Sequence, residues 1–499
     1  MDSDTERRIT QILLNRQNRW WSGEPPDVFP FKRRDFSYLM ESLYKPRATV
    51  LIGPRQIGKS TLIKQIINEL LTIKKIDPKR ILYVQLDDVQ LQLLSKNTML
   101  DVIEAYQKNI LLEDINLTAS DTFLFFDEVQ RVDNWADVVK TYHASNKNLH
   151  IFVTGSAGFA ISQQGKETLP GRADIYTMYP MKFTDALLLY YTSIEKSTKA
   201  NSRGQEVAYK LNKTYSMELR NSLIKSLEAK SFSEFFNSCK TIYTEMLPYE
   251  AELQAGVRRY LSKGGYPEII TEESISECQK LLKSYADDII VKDLMPWFNI
   301  RDFPTAEKLM FLIASVSGEQ INKQEILKRI GSSNYLTISK YLEYLESVFI
   351  IHSLPAYTGS KLGSTKHPKI YYHDTGLRNA IIGILDSPVL ELEKGHLAET
   401  AAYDHLLRLS YKLNESVPGG ISFFNNSAGE VDFILDLARY KTKLSIEVKF
   451  RRKIKEEHMG TRMFMSEHKS TMGMVITESL LDYRKGIISI PLWMLLALC

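Results

Sequence analysis

The segment "GPRQIGKST", Gly53 to Thr61, limits what this chain can fold into more than any other. It follows the apolar run "ATVLI" (48–52) and opens "TLIKQIINELL", so it reads as strand, glycine-bearing loop and helix. Such a loop gathers its N–H groups at the N-terminus of the helix and has to leave the end of a buried strand. The neighbouring sequence supplies partners for that strand: "ILYVQL" (81–86), "TFLFF" (122–126), "HIFVTG" (150–155) and "ADIYTMY" (173–179). Each is a short, nearly continuous apolar run between helical patterns, as a parallel sheet buried on both faces requires. The fold class expected here is α/β with a parallel sheet.

Gly53, Gly58, Lys59 and Ser60 match the spacing G-x-x-x-x-G-K-[ST]. Gly53, Pro54, Arg55, Gln56, Ile57, Gly58, Lys59, Ser60 and Thr61 are therefore the expected cradle for the phosphates of ATP. Lys59 is to reach the β- and γ-phosphates and Ser60 to ligate Mg2+. "TFLFFDEVQ" supplies the second half: apolar strand residues deliver Asp127 to the sheet's C-terminal edge, where it can hold the Mg2+ shell. Glu128 beside it is the candidate base for the attacking water. The next strand ends in "FVTGSAG", where Thr154 or Ser156 can sense the γ-phosphate.

The chain has 499 residues, enough for about three domains. A net charge of +4 neither demands nor excludes nucleic acid, so local patches must decide. Cys239, Cys278 and Cys499 are scattered without a C-x-x-C pair, which argues against a zinc ribbon or disulfide framework and for a reducing cytoplasm. The opening "MDSDTERRITQILLNRQNRWW" is too polar for a signal peptide, and Trp20 and Trp21 are expected to pack it onto the body. The apolar "IISIPLWMLLALC" is too short to span a bilayer and reads as core, so no membrane association is expected.

The expected divisions are a leader (1–34), a nucleotide-binding core (35–185), a helical lid or insertion (186–302), a winged helix (303–385) and an α/β domain (386–499). In the fourth, "TAEKLMFLIASVSG", "NKQEILKRIG" and "NYLTISKYLEYLESVFII" read as three helices, and "HSLPAYTG" and "PKIYYHD" as strands flanking the basic loop "SKLGSTKH". Asn334, Tyr335, Thr337, Ser339 and Lys340 would be the exposed positions of a recognition helix; the competing reading is a lid or spacer.

In the last segment Glu399 lies on an amphipathic helix, Asp432 near the start of the strand "GEVDFILDL", and Glu447 and Lys449 on its partner "KLSIEVKF". Alternation puts Glu447 and Lys449 on one face, and a hairpin brings Asp432 toward Glu447. Carboxylates held together repel, and a divalent cation relieves that while activating water at a phosphodiester. Asp432, Glu447 and Lys449 are thus candidate catalytic residues, with Glu399, Asp432 and Glu447 as candidate ligands for Mg2+ or Mn2+. "KFRRKIK" puts five positive charges into seven residues, a candidate phosphate-contact patch, and "FKRRD" near the start is a weaker one.

"GPRQIGKST", "FFDEVQRVDNW", "TGSAG…LPGR" and "KGGYPEII" resemble a prokaryotic AAA-type ATPase family of the archaeal-ATPase and STAND-like group. Its members pair this core with a winged helix and a C-terminal domain similar to restriction endonucleases. The resemblance covers roughly residues 35–190 and 250–499, and the helical section between them departs from it. It implies that Arg172 reaches a neighbouring subunit's nucleotide in a homo-oligomer, the competing reading being a surface or structural arginine, and that "GGYP", including Gly265 and Pro267, lies near the adenine. Asp432 with the "IEVK" run resembles the PD-(D/E)xK nuclease core, the proline being absent. The reading is an Mg2+-dependent ATPase coupled to a nuclease-like domain acting on DNA, with RNA not excluded. The rivals are an ATP-dependent switch and a DNA translocase, in which that domain only binds.

Overall fold

Every residue of β1 (Ala48–Ile52), β3 (Thr122–Asp127) and β4 (Leu149–Gly155) is buried. With β2 (Ile81–Gln85) and β5 (Ala173–Thr177) they form a parallel sheet in the order β2-β3-β4-β1-β5. The α/β class and all the expected strands are present. The structure is a computed structural model; it describes the whole chain except residues 157–168, 170, 195–198, 296–302, 332–334, 360–363, 415–419, 427–428, 452–457 and 469, and describes no side chains for 199–201, 335–337 and 364–366. The chain forms two units, the first Met1–Tyr179 with Pro296–Phe298 and Ser347–Phe349, the second Pro180–Met295, Asn299–Glu346 and Ile350–Cys499.

In the first unit β2 is an outer strand, and the leader closes its open edge. Trp20 and Trp21 both donate from Nε1 to the Ile81 carbonyl, at 3.1 and 3.0 Å. The Asn18 amide pairs with both backbone groups of Tyr83, at 2.9 and 2.7 Å, and Gln17 accepts from Gln85 N–H at 3.0 Å. Side chains thus take up the outward-facing groups of residues 81, 83 and 85, and the edge is no template for another strand. The tryptophans do pack the leader onto the body, and Asn18 joins them.

The second unit begins helical. Helices span Phe183–Ser193, Lys199–Tyr209, Ser216–Ala229, Ser233–Met246, Glu250–Lys263 and Ile275–Asp288. Leu219, Leu223 and Leu227 repeat at four-residue spacing and are the buried stripe of the third. Helices Phe303–Ser315, Lys323–Ile330 and Tyr335–Ser347 follow, the second ending at Gly331 in the left-handed region (φ 75°). The hairpin of β6 (Ile351–Ala356) and β7 (Ser364–Tyr372) comes next, as expected of a winged helix.

This hairpin is not a separate wing. β6 pairs in parallel with β8 (Gly420–Asn426) through Ala356 and Phe423. The sheet continues through β9 (Gly429–Leu437), β10 (Thr442–Lys449), β11 (Gly473–Thr477), β12 (Asp482–Arg484) and β13 (Ile487–Pro491). Its order is β12-β13-β11-β10-β9-β8-β6-β7, so one sheet crosses the boundary expected at 385/386. Ile370, Tyr371 and Tyr372 of β7 are fully buried, which a solvated wing would not require. β13 and the helix Leu492–Leu498 are buried core. Among the described residues, no helix is long and apolar enough to cross a membrane.

Candidate active site

The loop after β1 is built by two glycines with different tasks. Gly58 has φ 95°, a left-handed turn that starts the helix Lys59–Thr72. At Gly53 a Cβ would lie 2.2 Å from the Met178 carbonyl oxygen, so only a bare backbone fits. Lys59 is buried and donates from Nζ to the carbonyls of Gly53 and Pro54, at 2.9 and 2.8 Å. These neutral acceptors hold the ammonium above the loop, where phosphate oxygens can replace them.

Asp127 ends β3 inside the protein. Its carboxylate accepts from Tyr83 Oη at 3.0 Å, from Thr154 Oγ1, and from the Ser60 hydroxyl. Burial and then neighbouring Glu128 push its pKa up, while Ser60, Thr154 and Lys59 pull it down. Burial also raises the Tyr83 phenol, with the Asp127 charge adding to it, so that hydroxyl stays a donor. Thr154 thus orients Asp127, and Ser156 takes a different partner.

Glu128 is a non-glycine residue in the left-handed region (φ 58°, ψ 44°). That backbone folds its side chain back over the short turn Val129–Arg131. Gln130, nearly fully buried, donates from Nε2 to the Glu128 carboxylate and to Ser156 Oγ, the latter at 2.9 Å. Arg55 Nη2 lies 3.9 Å from the same Glu128 oxygen. Among the described residues, Gln130 Oε1 is buried without a hydrogen-bond partner. Gln130 completes "DEVQ", but in the sequence a polar residue just past a strand looks like a turn residue.

Arg172 is exposed and precedes β5. Its carbonyl accepts from Ala48 N–H, at the start of β1, whereas the phosphate loop leaves the far end at Ile52. Five strand residues separate the two edges, roughly 16 Å, so Arg172 is remote from the phosphate loop that follows β1. Arg33 of "FKRRD" is a structural arginine rather than a nucleic-acid contact. It is buried, donates to the carbonyls of Ile57 and Tyr179 at 3.1 and 2.8 Å, and pairs with Asp35 at 3.1 Å.

In the second unit, the helix Val389–Asn414 carries Glu399, β9 carries Asp432, and β10 carries Glu447 and Lys449. The β9–β10 ladder runs to Ile446 opposite Phe433, one step short of Glu447 and Asp432. The Asp432 carboxylate accepts from Val448 N–H at 2.7 Å. Glu447 accepts from Thr461 N–H at 2.8 Å and Thr461 Oγ1 at 2.7 Å, at the N-terminus of the helix Met459–Glu467, and Lys449 Nζ lies 3.6 Å from its other oxygen. The four predicted residues do converge.

A fifth residue sits among them. Lys369 of β7 is buried, with Nζ 2.8 Å from Glu430, 3.5 Å from Glu399 and 3.8 Å from Asp432, and 5.6 Å from the Phe423 ring centroid. Tyr371 Oη donates to Glu399 at 2.6 Å. Burial, then Glu399, pushes the Asp432 carboxyl up to about 7, against the pull of Lys369. Burial depresses Lys369, but the surrounding carboxylates outweigh it and leave its pKa raised. Among the described residues no group of three His, Cys, Asp or Glu side chains is arranged to hold a metal ion. The donors expected for one are engaged by Lys369, Tyr371 and Thr461, and as they stand they do not suit a divalent cation.

Gly265 and Pro267 belong to a turn of the second unit with its own logic. Asp374 accepts from Gly265 N–H at 2.6 Å and Leu377 N–H at 2.7 Å, and a Cβ on Gly264 (φ 74°) would meet its carboxylate at 2.2 Å. Close approach to a buried carboxylate accounts for Gly264, and at Gly265 a Cβ would lie 2.2 Å from the Met181 carbonyl oxygen. Of the recognition-helix positions, Asn334 and the side chains of Tyr335 and Thr337 lie outside the described residues; Ser339 accepts from Lys323 at 3.3 Å and Lys340 is exposed. Most of "SKLGSTKH" and of the patch after Lys449 also lies outside them.

Residues 45–187 match a family described as AAA domain. The first unit carries an AAA-type P-loop ATPase domain. Beyond this AAA domain, residues 254–387 and 394–495 match two families described as domains of unknown function, DUF8612 and DUF4143. The uncharacterized protein MJ1544 of Methanocaldococcus jannaschii is 25% identical over 393 residues, covering 77% of this chain and 71% of its own length. An uncharacterized protein of Haemophilus influenzae is 24% identical over 341 residues, 67% of this chain and 69% of its own. Among solved structures, the Walker-type ATPase paby2304 of Pyrococcus abyssi shares 14% identity over 72% of this chain and 99% of that one, with a TM-score of 0.38. The Aeropyrum pernix ORC1 protein in complex with DNA shares 13% over 74% and 97%, with a TM-score of 0.30.

The AAA domain's donor set suits Mg2+: the Ser60 hydroxyl and the buried Asp127 carboxylate already meet, and both are hard oxygen ligands. Ser60 and Asp127 would hold that ion, and it would supply positive charge to offset that of the phosphates. Lys59 supplies a further positive charge, and Glu128 a carboxylate on which a water can be oriented.

Proposed function

We propose that the chain is an Mg2+-dependent ATPase in which nucleotide turnover in the first unit governs how the second unit engages DNA. The observation that carries this is the convergence of Lys59, the Ser60–Asp127 pair and the Glu128–Gln130–Ser156 group at one edge of the first sheet. Lys59 exchanges two loop carbonyls for phosphate oxygens, and Glu128 orients the attacking water and draws off its proton. Arg172, far from its own loop, serves a neighbouring subunit in a homo-oligomer. In the second unit, the succession of helix with Glu399, strand with Asp432, strand with Glu447 and Lys449, helix, and parallel strand supports a nuclease-like fold.

A second reading adds cleavage of DNA with Mg2+ or Mn2+ at that site. The adjacency of Asp432 to Glu447 and the nearness of Lys449 favour it; Lys369 weighs against it. The test incubates the protein with single-stranded, duplex and branched DNA and either ion, with and without ATP, following retention and strand length. DNA retention that changes with nucleotide, and intact strands, is the expected result. No retention under any condition refutes the DNA reading. Cleavage lost in both Glu447→Ala and Lys449→Ala establishes the second reading.

A further inference from the structure

We infer that the ammonium of Lys369 is the resident cation of the second unit's carboxylate cluster, in the place where a nuclease would hold a divalent metal. This rests on reading the second unit as nuclease-like. Lys369 reaches the cluster from β7, a strand of the hairpin that joins the sheet beyond β8, so the cation comes from outside the run 394–495. It stands within 4 Å of Glu399, Glu430 and Asp432 while its stem is buried. The Glu399 and Asp432 carboxylates are held largely out of water and need a positive partner, and a lysine fixed by a strand provides one without any ion from solution. The other acidic residue, Glu447, is neutralised separately by the Thr461 N–H and hydroxyl at a helix N-terminus and by Lys449.

The chemical consequence is specific. An ammonium can hold a carboxylate array in place, but it is no Lewis acid and does not convert water to hydroxide at neutral pH. The second unit then binds without cutting, and Lys369 is a structural and electrostatic residue of its fold.

The experiment counts bound Mn2+ on the full chain by electron paramagnetic resonance, with ADP present, and measures melting temperature in parallel. One Mn2+ per chain is expected, lost in Asp127→Asn and unchanged in Glu399→Gln. Lys369→Met is expected to lower the melting temperature by on the order of 10 °C, and adding Glu399→Gln, which removes one negative charge, to recover much of it. A second Mn2+ in the parent, lost in Asp432→Asn or Glu399→Gln, overturns the inference, as does a Lys369→Met protein as stable as the parent. The metal count on the parent decides the matter even if Lys369→Met does not fold. Loss of DNA retention would sink the reading beneath it without changing that count.

Discussion

Gln130 Nε2 lies 2.9 Å from Ser156 Oγ while donating to the Glu128 carboxylate as well, so the candidate base is tied to the end of β4 through one buried amide. Those two bonds hold Glu128 in place. Gln130→Leu keeps the volume and removes both donated bonds. The expected outcome is kcat lowered by about 10- to 100-fold with ATP affinity unchanged, and little further loss when combined with Glu128→Gln. Steady-state kinetics alongside equilibrium binding of a fluorescent nucleotide separates the two effects. A weakened affinity with unchanged kcat would assign Gln130 to the pocket instead.

Arg172 and the phosphate loop occupy opposite edges of the same sheet. Arg172→Ala should bind ATP normally and hydrolyse it poorly, by roughly 10³-fold if it acts as an arginine finger. Lys59→Ala should fail to bind. Mixing the two variants should restore hydrolysis, since a Lys59→Ala subunit still offers its arginine to an intact site. A mixture as inactive as its parts would argue against a role in trans.

The turn at Gly264 is set by Asp374. Gly264→Ala forces a methyl onto a buried carboxylate and into a positive-φ backbone, and should cost about 3 kcal/mol. Asp374→Ala instead strands the N–H groups of Gly265 and Leu377, worth about 2–4 kcal/mol together. Urea denaturation of each variant checks both. A nucleotide-affinity loss without a stability loss would point to the adenine role that the sequence resemblance implies.

Two buried groups of the second unit respond oppositely to pH. His405 accepts Phe183 N–H on Nε2 and lies 2.8 Å from the Ala401 carbonyl through Nδ1, the pattern of a neutral ring with its proton on Nδ1. Burial lowers its pKa to about 3, so its contribution is complete above 6.5 and drains as pH falls toward 3. Burial raises Asp374 to about 6; its contribution is complete below 3.8 and drains as pH rises toward 6. Each group acts at up to about 1.4 kcal/mol per pH unit, and the slopes oppose one another between pH 4 and 6. Relative to the parent, His405→Gln should gain stability on acidification through that window and Asp374→Asn should lose it. Melting curves from pH 4 to 8 would show a shared slope if neither group matters.

The strands of the first unit and the phosphate loop were legible because they rest on contiguous runs and fixed covalent spacing. The convergence of Asp432, Glu447 and Lys449 was legible for the same reason: two strands and a short turn bring them together. Lys369 was not, since in "HPKIYYHD" it looks like an ordinary charged strand residue. Its meaning depends on the pairing of β6 with β8, a contact no local pattern encodes. Asp374 acts on Gly265 across 109 residues, so "GGYP" by itself showed only a turn. Arg33 misled for the converse reason: basic residues near a terminus look solvated until a buried carbonyl claims them.

The most direct test of the account is ATP hydrolysis by the parent and by Glu128→Gln, with Mg2+, in the presence and absence of duplex DNA. The account predicts turnover in the parent at a rate that DNA alters, and a drop of about 100-fold or more in Glu128→Gln with ATP still bound. Equal rates in the two proteins, or a parent rate indifferent to DNA, would contradict it.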